Sequence, residues 1–262
     1  MSPVGQDAVT ITRIGGPTAL LEWAGVRLLT DPTFDPADTS YPTPVYTLHK
    51  RTGPALAADA LGRLDAVLLS HDHHFDNLDH AGRLLLSRVP CVLAPTAAAA
   101  RLGGTARGLE PWQDFELAGQ AGGLRVTATP ARHGPPQLDR GPVIGFVLER
   151  GDRPGRAVYL SGDTVWYEGV AEVARRWPIA VALLFMGAAR VEAAGPWPLT
   201  MTAEDGVEAA RALGDAIIVP IHFEGWDHFS ESRDDIAAAF ARAGLGSRLR
   251  WTEPGKPLPL PL

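Results

Sequence analysis

The sequence predicts an α/β domain whose helices lie outside its β-sheets. The chain has 262 residues, of which 45% are hydrophobic, enough to bury a sizeable core. It carries 28 glycines and 23 prolines, which favour many turns and therefore many short strands. In both halves of the chain, strand patterns come first and then alternate with helical patterns. This order favours sheets covered by helices. No linker or repeat divides the chain, so we expect one domain over residues 1–262.

The first half begins with short strands. Alternating or continuous apolar runs bounded by glycine and proline predict strands at Val9–Ile14, Thr18–Trp23, Val26–Thr30, Ala66–Ser70 and Leu124–Thr129. The proline-rich stretch from Asp31 to Pro54 predicts a loop. Helical spacing predicts helices at Leu78–Leu86 and Thr96–Leu102.

The second half mixes both element types. Apolar runs predict strands at Val143–Glu149, Ala157–Leu160, Ile179–Phe185, Ala216–Pro220 and Leu249–Trp251, the first two joined by a turn at Gly151–Gly155. Apolar spacing predicts helices at Val170–Arg176, Thr202–Leu213 and Ser232–Ala243. Thr202 with Asp205, and Ser232 with Asp235, predict capped helix starts, and Gly244 predicts a helix end. The tail from Pro254 to Leu262 predicts an extended surface segment.

Composition excludes several classes of protein. The formal net charge of -6 argues against nucleic acid or an anionic membrane as the main partner. A single cysteine excludes a disulfide framework and a cysteine-built zinc module. No apolar run approaches the roughly 20 residues of a membrane helix. We therefore expect a soluble cytoplasmic protein; a homo-oligomer is left open.

The densest chemical feature follows the predicted strand Ala66–Ser70. The ten residues from His71 to His80 hold four histidines and three aspartates. Imidazoles and carboxylates are ligands of zinc, manganese and iron. His71 and His73 lie two residues apart, so on an extended segment both rings point the same way. The segment predicts a metal site; the alternative is a polar loop with helix-capping aspartates and solvated histidines.

Three further candidates also follow short apolar strands: His133, Asp163 and His222. Gly162 permits a tight turn directly before Asp163. Each of these residues alone is more often structural than functional. Strand ends at one sheet edge converge on one point. The order of these three residues after the segment His71-Asp72-His73 therefore predicts a shared site.

This order of motifs resembles the metallo-β-lactamase fold superfamily, and most closely the branch containing L-ascorbate-6-phosphate lactonase and N-acyl-phosphatidylethanolamine phospholipase D. Further segments resemble motifs of that branch, namely Leu29–Pro32, Tyr159–Thr164, Leu199–Asp205 and Pro220–His222. The resemblance implies a four-layer αβ/βα sandwich with a two-metal site at one edge of the sheets. It implies one ion held by His71, His73 and His133, a bridging Asp163, and a second ion held by Asp76 and His222.

The chain departs from the string HxHxDH that is usual in this superfamily. The segment is one residue longer, and Asn77 stands where the last histidine is expected. Three outcomes follow: the second site is weakened or vacant, His74 replaces the missing ring, or a harder metal such as manganese is preferred. We expect one or two divalent ions, with zinc first and manganese or iron as alternatives.

Such a site predicts hydrolysis. A bound divalent metal lowers the pKa of its water from about 15.7 toward about 7. Asp76 is the candidate for orienting this water and collecting its proton, and His228 or His74 for protonating the leaving group. Asp79 is a candidate for orienting an imidazole or for capping the next helix.

The expected activity is metal-dependent hydrolysis of a small ester, lactone or phosphoester. One alternative is a phosphodiesterase of the phospholipase D-like branch. The other is a metal-binding protein without turnover, an alternative that Asn77 keeps open.

Overall fold

Two β-sheets packed face to face form the centre of the protein, in a computed structural model that describes residues 8–43, 46–119, 122–152 and 155–262. The strands are β1 (Ala8–Gly15), β2 (Thr18–Trp23), β3 (Val26–Thr30), β4 (Ser40–Pro42), β5 (Thr47–His49), β6 (Ala66–Leu68), β7 (Val92–Pro95), β8 (Ala106–Leu109), β9 (Asp114–Leu117), β10 (Leu124–Pro130), β11 (Ile144–Arg150), β12 (Ala157–Leu160), β13 (Ile179–Phe185), β14 (Ile217–Ile221) and β15 (Pro257–Pro261).

Each sheet contains an antiparallel part and a parallel part. The first sheet has the order β15-β1-β2-β3-β6-β7-β8, and the second has the order β14-β13-β12-β11-β10-β9. Strands β3, β6, β7 and β8 run parallel, as do β12, β13 and β14. Strands β4 and β5 form a separate hairpin.

Five helices among the described residues cover the outer faces of the sheets: α1 (His80–Leu86), α2 (Thr96–Leu102), α3 (Glu168–Arg176), α4 (Ala203–Ala212) and α5 (Arg233–Arg242). Leu85 of α1 and Ala98 of α2 belong to the apolar cluster on the first sheet. Val170 of α3 and Phe240 of α5 belong to the cluster on the second. A third cluster fills the space between the sheets, so the predicted four-layer αβ/βα sandwich is confirmed. In the described part of the chain, no helix is long and apolar enough to cross a bilayer.

The helix boundaries follow local signals in the sequence. Thr202 and Ser232 each cap a helix in a complete capping box with the aspartate three residues later, as predicted. Such a cap contributes about 1 kcal/mol. Gly244 adopts a φ of 72° just after α5, which is the left-handed conformation that ends a helix.

Several elements differ from the sequence prediction. The predicted loop from Asp31 to Pro54 contains β4 and β5, and β7, β8 and β9 were not predicted. The prediction of a strand at Leu249–Trp251 is wrong, because only Leu249 makes an isolated bridge there, to Ile218. Residues 1–7, residues 44–45 of the loop and residues 153–154 of the predicted turn lie outside the described residues.

The proline-rich tail pairs with β1 as the edge strand β15. Prolines 257, 259 and 261 alternate with leucines, and Leu260 is buried against the sheet. Proline lacks an N–H donor and is therefore tolerated at a sheet edge. The tail is extended, as predicted, but it completes the first sheet.

Candidate metal centre

The candidate site lies where five strands end at one edge of the sandwich. Strands β3 and β6 are parallel, and β10, β12 and β14 run in one common direction because β11 is antiparallel to both β10 and β12. Ile144 donates its backbone N–H to the carbonyl of Ser70 at 3.1 Å and so joins the two sheets at this edge. The segments that follow these strands therefore meet.

Unusual backbone conformations direct two of the candidate ligands. Gly162 has a φ of 60°, and a Cβ there would lie 2.6 Å from the carbonyl oxygen of Ile144, so this tight turn before Asp163 requires glycine. His222 itself has a φ of 55°, and its N–H donates to the carbonyl of Gly16 at 3.1 Å. A left-handed non-glycine residue is strained, and such strain is concentrated at functional sites.

Three imidazoles form the first group of donors. His74 Nδ1 lies 2.9 Å from His71 Nε2 and 3.2 Å from His133 Nε2. One ring nitrogen from each residue falls within 4.8 Å of the other two. A single divalent ion could therefore contact all three nitrogens after small movements.

Hydrogen bonds on the far side of two rings define their tautomers. Ser70 Oγ donates its hydrogen to the Asp31 carboxylate at 2.7 Å. Ser70 Oγ therefore accepts in its contact of 2.9 Å with His71 Nδ1, and Nδ1–H is the donor. His133 Nδ1 lies 2.8 Å from the carbonyl oxygen of Leu199, which can only accept. Both residues therefore present an Nε2 lone pair to the centre, as a metal ligand requires.

His73 stands outside this group. Its Nε2 lies 2.6 Å from the carbonyl oxygen of Arg140, and its ring is partly exposed. The chain bends at residues 72–73, so the alternation of an extended segment, which predicted that His71 and His73 point the same way, does not apply here. The geometry favours His74 over His73 for the third imidazole.

Two carboxylates and one imidazole form the second group: Asp76, Asp163 and His222. His222 Nε2 lies 3.4 Å from Asp76 Oδ2 and 3.4 Å from Asp163 Oδ1. His228 Nε2 approaches Asp76 Oδ2 from outside the group at 3.1 Å. The second group is richer in oxygen than the first.

Asp163 lies between the two groups. Its Oδ1 faces His222, whereas its Oδ2 lies 3.7 Å from His133 Nε2 and 4.0 Å from His71 Nε2. A carboxylate with one oxygen toward each group is placed to bridge two ions.

Asn77 does not contribute to either group. Its side chain is fully buried, and its amide donates to Asp31 Oδ2 at 3.2 Å. Asp31 also accepts the N–H of Ser70 at 2.6 Å. The residue that replaces the expected histidine thus supports the loop that carries His71.

Asp79 and Asp72 support the site from outside. Asp79 caps α1 and accepts four donors, namely the N–H groups of Phe34, Asp35 and Gly82 and the ammonium of Lys50. Lys50 Nζ lies 2.8 Å from Asp79, and both side chains are buried. Asp72 pairs with Arg101.

The imidazoles of His71 and His74 in the first group are held neutral. Burial lowers the pKa of His71 well below its usual value, and the neighbouring His74 and His73 lower it further. Burial, with His133 next in size, lowers the pKa of His74 to about 3. Neutral imidazoles are the form that binds metal.

In the second group, oppositely charged side chains stabilise one another's ionised forms. Burial opposes charge on His222, but Asp163 and Asp76 more than offset it and raise the pKa of His222 to about 10. Burial also opposes charge on Asp76, yet His228 and His222 hold its pKa well below the usual range. Without an ion, the carboxylates retain a proton on His222 to balance their charge.

The residues fit a pair of divalent metal ions. Both carboxylate oxygens of Asp163 and both ring nitrogens of His222 are buried without a hydrogen-bond partner among the described residues. Leaving a buried donor or acceptor unpaired costs about 1–3 kcal/mol. Borderline cations that accept nitrogen and oxygen ligands would satisfy the Asp163 oxygens and His222 Nε2.

A narrow pocket is lined by members of both donor groups. It is lined by His74, Asp76, His133, His228, Tyr46, Arg140, Leu48, Ala189, Val191 and Leu199. Its volume is about 10 Å³, room for the centre of about one water molecule.

Sequence reasoning missed Tyr46, Arg140 and Lys50 as parts of this region. Arg140 lies seven residues after His133 on the same loop, and position on a loop that carries a candidate ligand is the signal that could have found it. Lys50 reaches Asp79 across 29 residues, and no local pattern predicts that contact.

Comparison with protein families identifies residues 26–223 as a β-lactamase superfamily domain. An uncharacterized protein of Mycobacterium tuberculosis is 30% identical over 82% of this chain, which spans 58% of that relative's length. A protein of Methanoregula boonei described as a metal-dependent hydrolase is 27% identical over 68% of this chain and 75% of its own length.

A solved structure shares the fold over nearly its whole length. The isothiocyanate hydrolase from Delia radicum gut bacteria superposes with a TM-score of 0.82 over 95% of this chain and 98% of that one, at 22% identity. At this identity the similarity shows the fold alone.

Proposed function

The chain belongs to the β-lactamase superfamily, and from this premise we propose that it is a metal-dependent hydrolase. The observation that carries the proposal is the pair of buried donor groups joined by Asp163, whose oxygens lack any other partner. A buried carboxylate without a partner is costly unless a cation compensates it. Relatives described as metal-dependent hydrolases support the same assignment.

We assign the ligands from the geometry. His71, His74 and His133 would hold one ion, Asp76 and His222 the other, and Asp163 would bridge them. Zinc suits the imidazole group best, whereas manganese or iron are alternatives for the group rich in oxygen. His73 would enter the set only by breaking its bond to the carbonyl of Arg140.

The chain's own side chains then prepare the reaction. A bound divalent ion supplies acidity to water and polarises the bond under attack. Asp76 lines the pocket and stays ionised because its pKa is depressed, so it is the group that would orient the attacking water and collect its proton. His228 Nε2, 3.1 Å from Asp76, relays a proton to the leaving group. Leu48, Val191 and Leu199 exclude bulk water from one wall of the pocket.

The pocket favours a small substrate. Its apolar lining residues Leu48, Val191 and Leu199 offer contact to a small ester, lactone or phosphoester, as expected for the lactonase-like branch. A lipid phosphodiester of the phospholipase D-like branch would need a longer apolar groove. We propose a cytoplasmic protein acting as one domain, in keeping with the composition.

A metal-replete activity screen tests the proposal. Lactones, phosphodiesters, β-lactams and thioesters are offered to the protein loaded with zinc, manganese or iron, with a chelated sample beside each. We expect turnover of at least one class that the chelator abolishes, about two bound ions per chain, and loss of turnover in His71→Ala. His49→Ala is the matched control, because His49 lies on β5 and bonds Ser40. No turnover above the chelated samples would leave a metal-binding protein without catalysis.

A further inference from the structure

Two polar side chains that the hydrolytic mechanism does not use line the pocket. They belong to Arg140 and Tyr46, both of which line the pocket. Among the described residues, neither has a hydrogen bond or an ion pair to another side chain. Other arginines close to carboxylates, such as Arg13 and Arg101, do form ion pairs. A half-buried guanidinium without an ion pair beside the candidate metal ligands is therefore available to an anionic partner from solution.

The backbone of Arg140 is anchored to the metal centre on both sides. Its N–H donates to the carbonyl of His133 at 3.0 Å, and its carbonyl accepts from His73 Nε2 at 2.6 Å. His73 thereby acts as a positioning residue for the loop that carries Arg140. A loop held at two points next to a candidate ligand presents its side chain in a defined place.

Tyr46 faces the same space as Arg140 and Asp76. Burial raises the pKa of the Tyr46 hydroxyl and Asp76 raises it further, whereas Arg140 acts in the opposite direction. Both charged groups are therefore close to the phenol. A phenol that stays protonated can donate a hydrogen bond to an anion.

We propose that Arg140 and Tyr46 form a recognition site for an anionic group of the substrate, a carboxylate or a phosphate, set beside the metal centre. This inference rests on the proposed function for the identity of the reacting site. A guanidinium binds the two oxygens of either anion through parallel N–H donors, and the hydroxyl of Tyr46 adds a third donor. Leu48, Val191 and Leu199 line the same pocket and offer apolar contact to a short aliphatic body. The substrate class is a small hydrolysable acid derivative that carries an anionic group in addition to the bond that is hydrolysed.

Binding of simple anions to the metal-loaded protein tests this site without knowledge of the substrate. Inorganic phosphate and propionate are titrated by calorimetry into the wild-type protein, Arg140→Gln, Tyr46→Phe and Arg107→Gln. Arg107 is the matched control, because it is an exposed arginine whose side chain, among the described residues, hydrogen-bonds the carbonyl of Ala106 and forms no ion pair. We expect at least tenfold weaker binding for Arg140→Gln, about fivefold weaker binding for Tyr46→Phe, and no change for Arg107→Gln.

The outcomes separate this inference from the proposed function. Stronger binding of propionate than of phosphate assigns a carboxylate to the site, and the reverse order assigns a phosphate. Wild-type affinity in Arg140→Gln would place the anion on the metal ions alone and overturn the inference, as would an equal loss in Arg107→Gln or no binding at all. Binding that depends on Arg140 in a protein with no chelator-sensitive turnover would contradict the proposed function and leave the anion site standing.

Discussion

Exchange of the adjacent histidines His73 and His74 for alanine is the sharpest test of the metal centre. The two substitutions remove the same ring one residue apart, yet the structure gives the rings different partners. His74 Nδ1 lies 2.9 Å from His71 Nε2, inside the first donor group. His73 Nε2 instead bonds the carbonyl of Arg140. We expect His74→Ala to release an ion that His73→Ala retains.

The expected magnitudes follow from these contacts. Four protein ligands bind a structural zinc ion with about 10–16 kcal/mol, so one ligand of the set contributes roughly 3 kcal/mol. Loss of His74 should therefore weaken binding of that ion about a hundredfold. Loss of His73 removes one hydrogen bond, worth about 1 kcal/mol, and should leave the affinity for metal within a few fold.

The assay is metal content after competition. Each protein is loaded with zinc, dialysed against a chelator of graded concentration and analysed for metal per chain, with a denaturation curve recorded to confirm folding. Wild type and His73→Ala should retain the ion at chelator concentrations that strip it from His74→Ala. The reverse order would refute the assignment and show that metal draws the His73 ring away from Arg140.

Three further predictions concern stability and protonation. Asp79→Asn should cost about 3–5 kcal/mol of unfolding free energy, measured by urea denaturation, because it leaves Lys50 as an unpaired buried charge. If Asp79→Asn cost just as much unfolding free energy in a Lys50→Met background, the loss would not come from the Lys50–Asp79 pair. Gly162→Ala should cost about 3 kcal/mol, because its Cβ would meet a backbone carbonyl at 2.6 Å. Gly104→Ala, with a φ of 57° and open space around it, should cost only about 1 kcal/mol, and equal losses would rule out the steric cause. Metal binding near neutral pH should release about one proton from His222, because its pKa of about 10 keeps it protonated without metal and a ligand imidazole must be neutral. Calorimetry in buffers of different ionisation enthalpy measures this proton, and a release of zero would show that His222 is not a ligand.

The layered fold was predictable from the sequence, whereas several strands were not. Apolar runs as regular as Ile179–Phe185 and capping residues such as Thr202 predict their elements from nearby residues alone. Strand β8 (Ala106–Leu109) is half exposed and short, so its pairing with β7 depends on a neighbour that local patterns do not contain. The tail joins β1 across the whole length of the chain, a contact that no local signal encodes.

The sequence by itself determined which chemical groups are present and where they leave the sheets. His133, Asp163 and His222 each follow a short apolar strand, and strand direction in this architecture takes such residues to one edge. Only the tertiary structure decided which side chains belong to the first donor group and which to the second. A bend at residues 72–73 favours His74 over His73, and burial with neighbouring charges moves the pKa of His74 and His222 in opposite directions. Ligand identity is a local property of the chain, whereas ring orientation, protonation and the pairing of distant side chains depend on neighbours that only folding brings together.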